Sequence, residues 1–185
     1  MNNKIKVAVI GCGTIANSAH IPSYMANDTC EIKYFCDIIP ERADAAVEKY
    51  GCGKAVYDYH EILDDPEIEA VSVCTPNLAH PTISIDFLRA GKNVLITKPW
   101  ATTVAEADSI IRTAKENNCI VMPFVPCHDG VDVVKLKELV AAGTIGDLFR
   151  VYRAQMTFGK RSDWQTLKAY AGGYAIGAFN INNME

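Results

Sequence analysis

The chain has 185 residues, of which 49% are hydrophobic and 22% are charged, values typical of a folded globular protein and unlike those of a disordered one. Its formal net charge of −4 excludes a generic nucleic-acid binder, because phosphate contacts need surplus Lys and Arg, and no apolar run approaches the ~20 residues of a membrane span. The seven cysteines are scattered without a Cys-x-x-Cys pair, so we expect neither a zinc site nor a redox dithiol but a reduced, cytoplasmic protein.

Short apolar runs alternate with stretches of helical periodicity over the first 124 residues. The runs lack polar alternation, which is typical of strands buried on both faces of a parallel sheet covered by helices. The predicted strands span 5–10, 31–36, 70–74, 93–97 and 119–124, and the predicted helical segments span 15–25, 40–51, 59–63, 78–90 and 104–117. This order predicts an α/β fold with a doubly wound parallel sheet of the Rossmann type.

The alternation of strand and helix patterns stops after the last of these strands, where we expect a second, α+β domain to begin. An amphipathic helix is predicted over 132–142, with Gly143 ending it, and a strand is predicted over 148–158. The sequence therefore predicts two units, a complete domain over 1–124 and an incomplete domain over 125–185.

The first predicted strand is followed by the pattern G-x-G-x-x-A, formed by Gly11, Gly13 and Ala16, and then by a predicted helix. In dinucleotide-binding folds the first glycine permits a tight turn, and the second lets a pyrophosphate approach the backbone. The third position is small so that the helix can pack on the strand, and the amino end of that helix attracts the phosphates. The pattern indicates a dinucleotide site, although glycines can also serve only the backbone of such a turn.

Asp37 ends the second predicted strand, 24 residues after Gly13. A carboxylate at this place can accept hydrogen bonds from the ribose hydroxyls of a dinucleotide. The same negative charge would repel a 2′-phosphate, which favours NAD, although Arg42 nearby leaves NADP possible. The alternative is that Asp37 only caps the helix that begins at Pro40.

Polar residues also follow two later predicted strands, and in open α/β sheets ligands bind at the carboxyl ends of the strands. The first cluster contains Thr75, Pro76, Asn77 and His80, and the second contains Lys98 and Pro99. A turn and a helix cap account for Pro76 and Asn77 without any function, and Lys98 could be a surface lysine at a strand end. The functional alternative is a cleft beside a cofactor, in which Lys98 relays a proton.

Taken together, these motifs resemble those of the Gfo/Idh/MocA family of nicotinamide-dependent oxidoreductases. The matching residues are Gly11-x-Gly13-x-x-Ala16, Cys36-Asp37, Pro40-Glu41-Arg42-Ala43, Thr75-Pro76-Asn77-x-x-His80, Ala90-Gly91-Lys92-Asn93-Val94 and Lys98-Pro99. The resemblance extends from residue 4 to about residue 170. It implies an NAD-binding Rossmann domain and a mixed α/β domain that carries the substrate pocket and often the oligomer interface. The implied reaction moves a hydride between the nicotinamide and a sugar, cyclitol or related polyol.

The resemblance also implies a role for each matching residue. Gly11, Gly13 and Ala16 would form the pyrophosphate turn, with Thr14 and Ile15 in the same loop. Asp37 would be the acid that binds the ribose. The nicotinamide side would be lined by Thr75, Pro76, Asn77 and His80. Lys98, followed by Pro99, would assist proton movement at the reacting hydroxyl. Thr97 stands where the family has Glu, which removes an ion pair that could orient Lys98.

The last residues depart from the family pattern. The family has a glycine-rich stretch followed by an Asp and a His, and here Gly177 and Ile181 fall at those two positions. The segment 172–185 instead resembles the first strand of class II fructose-bisphosphate aldolases, unless the likeness is a chance match in a Gly- and Ala-rich strand. We therefore expect a truncated or spliced chain, an oxidoreductase front half followed by a foreign tail.

The leading hypothesis is an oxidoreductase that binds NAD, or NADP, takes a sugar or polyol substrate and turns over poorly as this chain alone. Its full-length form is expected to be a homo-oligomer, without nucleic-acid or membrane partners. The alternative is a non-catalytic dinucleotide-binding regulatory module. An aldolase fragment would require zinc, and the sequence offers no ligand cluster for it.

Overall fold

The structure is a computed structural model that describes residues 4–125 and 130–152. The strands are β1 (Ile5–Ile10), β2 (Cys30–Cys36), β3 (Lys54–Val56), β4 (Ala70–Val73), β5 (Asn93–Thr97) and β6 (Val121–Phe124). The α-helices are α1 (Ile21–Met25), α2 (Pro40–Tyr50), α3 (His80–Arg89), α4 (Val104–Glu116) and α5 (Val131–Ala141). A π-helical turn, Ala16–His20, leads into α1, and 3₁₀ turns span Tyr59–Ile62 and Asn77–Ala79.

The strands form one parallel sheet in the order β3-β2-β1-β4-β5-β6. The chain builds outward from β1 to β3 on one side, and then returns to build outward from β4 to β6 on the other. A crevice therefore opens at the carboxyl ends of β1 and β4, where the direction of building reverses. The predicted doubly wound sheet is confirmed.

Each face of the sheet carries its own hydrophobic core. In β1, for example, Ala8 belongs to the core that contains Phe87 of α3, whereas Val9 belongs to the core that contains Ile21 of α1 and Ala46 of α2. Successive residues of a strand point to opposite faces, so a strand buried on both sides needs apolar residues at every position. This arrangement explains the continuous apolar runs in the sequence.

The helix ends follow local rules that the sequence displays. Pro40 occupies the first turn of α2, and Gly51 ends it in a left-handed conformation, with φ at 64°. Thr103 and Glu106 form a reciprocal capping box at the start of α4. These signals are why the predicted helices agree with the observed ones to within a residue or two at these ends.

The edge strand β3 was not predicted, because three residues are too few to show a pattern. It pairs in parallel with the end of β2, and the backbone N–H of Asp37 donates to the carbonyl oxygen of Val56 at 3.1 Å. This short strand therefore supports the position of Asp37 from the outer side of the sheet.

The prediction of a strand over 148–158 is wrong for the part that the structure describes. Residues 148–152 form no strand, because a strand needs a hydrogen-bonded neighbour and no described residue pairs with them. The remaining residues, 153–158, lie outside the described residues, as does the aldolase-like segment 172–185.

The predicted helix over 132–142 is present as α5, and Gly143 follows it with φ at 67°. None of its residues is buried. The division into two domains at residue 125 stays a prediction. Within residues 4–125 and 130–152, no helix has the length and apolar character that crossing a membrane requires.

Candidate functional site

The loop between β1 and the following helix contains two glycines with different requirements. Gly11 has φ at +93°, and a Cβ there would lie 2.8 Å from the carbonyl carbon of Cys74 and 2.9 Å from the backbone N of Thr75. Only glycine allows the end of β4 to approach this closely. A Cβ on Gly13, by contrast, would meet no described atom within 4 Å, so that position borders open space.

The chain turns into a helix directly after Gly13 and stays helical from Thr14 to Met25. Ala16 is fully buried in the core under the loop, as the small third position of the motif predicts. Thr14 and Ile15 are exposed in the first turn, where backbone N–H groups have no partner within the helix. The arrangement leaves hydrogen-bond donors and a partial positive charge beside the open space at Gly13.

Asp37 follows β2 and is buried, with 7% of its surface exposed. Its Oδ2 accepts a hydrogen bond of 2.8 Å from the backbone N–H of Cys12, and its Oδ1 accepts one of 3.0 Å from the backbone N–H of Ile39. The N-cap residue of α2 is Ile39 and not Asp37, so the alternative of a simple helix cap is wrong. The carboxylate instead joins the end of β2 to the glycine loop and retains lone pairs for further donors.

Asn17 is a site residue that the sequence analysis missed. Its Nδ2 donates to the carbonyl oxygens of Cys12 at 2.8 Å and Gly13 at 3.1 Å. Its Oδ1 accepts from the hydroxyl of Tyr50 at 3.1 Å and lies 3.4 Å from Nζ of Lys49. An amide one helical turn after a glycine loop was the available signal, but its partners on α2 lie more than 30 residues away along the chain.

The loop after β4 meets the glycine loop across the crevice. Thr75 is half-buried, and its Oγ1 is enclosed without a hydrogen-bond partner among the described residues. Pro76 is exposed, and Asn77 is 4% exposed at the start of a 3₁₀ turn. An enclosed hydroxyl without a partner is costly, so Thr75 has hydrogen-bonding capacity that the described residues do not use.

His80 begins α3 and is fully buried beneath the loops that follow β4 and β5. Its Nδ1 lies 2.8 Å from the carbonyl oxygen of Pro99, and its Nε2 lies 2.8 Å from that of Thr75. A neutral imidazole donates through one ring nitrogen only and cannot satisfy both oxygens at once. Burial lowers the pKa of His80, while the carbonyls of Pro99 and Thr75 favour the protonated ring and oppose that shift. The structure thus places this residue under the loops and not at their surface.

Lys98 directly follows β5, and its side chain is exposed. The peptide bond between Lys98 and Pro99 is cis. Thr97 turns its hydroxyl into the sheet and donates to the carbonyl oxygen of Val73 at 3.1 Å, so it does not hold the lysine amine. In the part of the chain that the structure describes, Lys98 has no hydrogen bond or ion pair.

These residues lie at one edge of the sheet and are connected by hydrogen bonds and close contacts. Asp37 joins the glycine loop through Cys12, Gly11 packs against the loop after β4, and His80 joins that loop to Pro99. The structure therefore brings the predicted residues of four strand ends together. Among the described residues, no group of three or more His, Cys, Asp or Glu side chains could hold a metal ion.

Comparison with known proteins agrees with this architecture. The model of an oxidoreductase family with an NAD-binding Rossmann fold, Gfo/Idh/MocA, matches residues 5–125. Inositol 2-dehydrogenase from Salmonella typhimurium is 31% identical over 153 residues, which cover 80% of this chain and 45% of that enzyme. D-glucoside 3-dehydrogenase from Escherichia coli is 29% identical over 148 residues, which cover 80% of this chain and 42% of that enzyme.

Among solved structures, a 3-ketoreductase from Actinomadura kijaniata in complex with NADP and TDP-benzene superposes with a TM-score of 0.71 and 30% identity. The match covers 78% of this chain and 44% of the ketoreductase. The chain thus spans less than half the length of these relatives. From its motifs, its sheet order and these matches, the chain belongs to the Gfo/Idh/MocA family of oxidoreductases and contains the NAD-binding Rossmann fold of that family.

Proposed function

We propose that this chain is the cofactor-binding part of an NAD(P)-dependent oxidoreductase that acts on a sugar, a cyclitol or a related polyol. The observation that carries the proposal is the bond between the Asp37 carboxylate and the backbone N–H of Cys12. It sets a ribose acceptor directly against a glycine loop that can receive phosphates. The relatives named above, an inositol dehydrogenase, a glucoside dehydrogenase and a ketoreductase, support the substrate class.

The residues of the site fit a dinucleotide. Gly13 borders open space where a phosphate could approach the backbone, and the helix that starts at Thr14 offers N–H donors there. On the other side of the crevice, the enclosed hydroxyl of Thr75 lacks a partner among the described residues.

Each residue then has a role in holding the cofactor. The pyrophosphate would lie against Gly11, Gly13, Thr14, Ile15 and Ala16, the adenosine ribose against Asp37, and the nicotinamide side against Thr75, Pro76, Asn77 and the Lys98–Pro99 turn. When bound, the nicotinamide supplies the position that accepts or donates the hydride. His80 would act from beneath, by holding the backbone of Thr75 and Pro99 in place.

Lys98 is the residue proposed to move the substrate proton. Oxidation of an alcohol releases a hydroxyl proton as the hydride leaves the carbon, and reduction requires that proton to return. The Lys98 amine is exposed at the end of β5 and has no partner among the described residues. It can therefore turn toward a substrate hydroxyl without breaking an existing interaction in the described structure.

The wider assignments are part of the same proposal. We place the start of the substrate domain at about residue 125, and we expect low turnover from these 185 residues alone because the family's substrate pocket lies mostly in that domain. A homo-oligomer of the full-length form, a cytoplasmic location and the absence of a nucleic-acid partner stay predictions. The negative charge of Asp37 favours NAD over NADP.

Isothermal titration of the purified chain with NADH and with NADPH tests the proposal. We expect NADH to bind, and to bind more tightly than NADPH, because Asp37 accepts ribose hydroxyls but repels a 2′-phosphate. An Asp44→Asn variant is the matched control for the charge of Asp37. Asp44 is an exposed acid on α2 that accepts a hydrogen bond from the Tyr57 hydroxyl and lies outside the site. No binding of either nucleotide would overturn the proposed function.

A further inference from the structure

The side-chain NH₂ group of Asn17 holds the glycine loop. Its two N–H groups donate to the carbonyl oxygens of Cys12 at 2.8 Å and Gly13 at 3.1 Å. The backbone N–H of Asn17 also donates to the Gly13 oxygen at 3.1 Å. Asn17 thus holds two successive carbonyl groups of the loop on its own side.

The orientation of this amide is set from α2. The hydroxyl of Tyr50 lies 3.1 Å from Oδ1 of Asn17 and 3.3 Å from the backbone oxygen of the same residue, and Nζ of Lys49 lies 3.4 Å from Oδ1. Both partners are donors, so they hold the oxygen toward α2 and the NH₂ group toward the loop. The last turn of α2 therefore controls which way the Asn17 amide faces.

Fixing the carbonyl groups also fixes the N–H groups that share their peptide units. In a trans peptide the N–H points opposite to the C=O of the same unit. The carbonyl of Cys12 shares its unit with the N–H of Gly13, and the carbonyl of Gly13 shares its unit with the N–H of Thr14. With both carbonyls turned toward Asn17, both N–H groups point away from it, and Gly13 itself borders open space.

We propose that Asn17 is a positioning residue that aims the N–H groups of Gly13 and Thr14 at a bound diphosphate. The inference rests on the proposed function and adds to it a residue outside the G-x-G-x-x-A pattern. Asn17 bonds the carbonyl of Cys12, whereas Asp37, which would hold the adenosine ribose, bonds the N–H of the same residue, so the main effect of replacing Asn17 should fall on the phosphates. Ligands with and without a diphosphate should therefore respond differently to its replacement.

The test compares ADP with adenosine on the wild-type chain and on an Asn17→Leu variant, which keeps the side-chain size but removes the donors. We expect the ADP dissociation constant to rise roughly tenfold, as the loss of about one net hydrogen bond implies, and that of adenosine to stay unchanged. Ser18→Ala is the matched control on the same helix, since Ser18 is exposed and its hydroxyl donates to the carbonyl oxygen of Ile15 at 3.5 Å. We expect it to bind both ligands like the wild type.

A second variant guards against misfolding of the first. Tyr50→Phe removes the hydroxyl that orients Asn17 and leaves the loop sequence intact. The affinity for ADP should therefore fall again, while the affinity for adenosine stays unchanged. In the wild type, the amide NMR signals of Gly13 and Thr14 should move when ADP is added, and in Tyr50→Phe they should move less.

The outcomes separate this inference from the proposed function. The role proposed for Asn17 is wrong if both variants bind ADP as tightly as the wild type does. It is also wrong if the variants lose affinity for adenosine and ADP to the same extent. In either case the dinucleotide site stands. If the wild type binds neither ADP nor NADH, the proposed function fails and the inference fails with it.

Discussion

The carboxylate of Asp37 accepts a 2.8 Å hydrogen bond from the backbone N–H of Cys12, between the two glycines of the loop after β1. A second bond, from the N–H of Ile39, fixes the other carboxylate oxygen. The Asp37 carboxylate and the glycine loop, the ribose acceptor and phosphate loop of the proposed function, are therefore held as one unit. A preformed arrangement of this kind lowers the cost of ordering that binding would otherwise carry.

Replacement of Asp37 by Asn keeps the shape of the side chain and removes its charge, and it sets an NH₂ group against the N–H of either Cys12 or Ile39. We expect NADH affinity to fall roughly 10- to 100-fold, the range for losing hydrogen bonds to a charged group, and NADPH affinity to fall less because the repulsion of a 2′-phosphate disappears. Calorimetric titration of both nucleotides measures the change in their ratio. An unchanged ratio of the two affinities would remove Asp37 from cofactor selection.

The two glycines of the loop should respond differently to alanine. Gly11→Ala forces a Cβ to within 2.8 Å of the Cys74 backbone at a positive φ, so we expect a loss of stability of about 2–3 kcal/mol. Gly13→Ala meets no described atom within 4 Å, and its stability should stay within about 0.5 kcal/mol of the wild type while NADH binding is lost. Urea unfolding and NADH titration of both variants separate the structural glycine from the ligand-facing one. Tight NADH binding by Gly13→Ala would contradict the assignment.

We expect His20 to make the stability of the chain depend on pH. Burial lowers its pKa from the ordinary value of 6.5 to about 4. In the unfolded chain the His20 ring is protonated below about pH 6.5, whereas in the folded chain it stays neutral until about pH 4. The free energy of unfolding therefore falls as the pH drops from 6.5 to 4. The full effect is on the order of 3 kcal/mol.

A His20→Phe variant isolates this effect, because phenylalanine does not titrate and can keep the ring contact with Phe124, whose centroid lies 4.2 Å away. Urea unfolding at pH 7 and at pH 4.5 should show a smaller loss of stability in the variant than in the wild type. Equal losses in the two proteins would mean that His20 is not the responsible group.

Lys98 distinguishes an enzyme from a regulatory module. Because the Lys98 amine is exposed and has no partner in the described residues, Lys98→Ala should fold like the wild type. Its dissociation constant for NADH should stay within about twofold of the wild-type value. Any NAD-dependent oxidation of a polyol should be abolished, as expected for the group that moves the hydroxyl proton. NADH titration and the absorbance of NADH formed from NAD and myo-inositol measure the two properties. Retained turnover in the variant would exclude Lys98 from the chemistry.

The parts of the site that follow from spacing along the chain could be predicted from the sequence. Gly11, Gly13 and Asp37 lie at the ends of strands whose apolar runs are plain, and the sheet order then brings those ends together. The helix ends at Pro40 and Gly51 carry their own local signals. For these elements, short-range rules and topology were sufficient.

The parts that depend on contacts between distant segments could not be predicted. The role of Asn17 arises from Tyr50 on another helix, and the burial of His80 arises from the path of the Pro99 turn above it. The edge strand β3 is visible only through its pairing with β2. Nothing in the local pattern of these residues encodes their partners, so only the folded chain reveals them.

The most direct test is a crystal structure of this chain grown with NADH. The account predicts density for the diphosphate against the N–H groups of Gly13 and Thr14, and ribose hydroxyls within hydrogen-bond distance of the Asp37 carboxylate. Density for the nucleotide at any other part of the sheet, with the space beside Gly13 left to solvent, would contradict it.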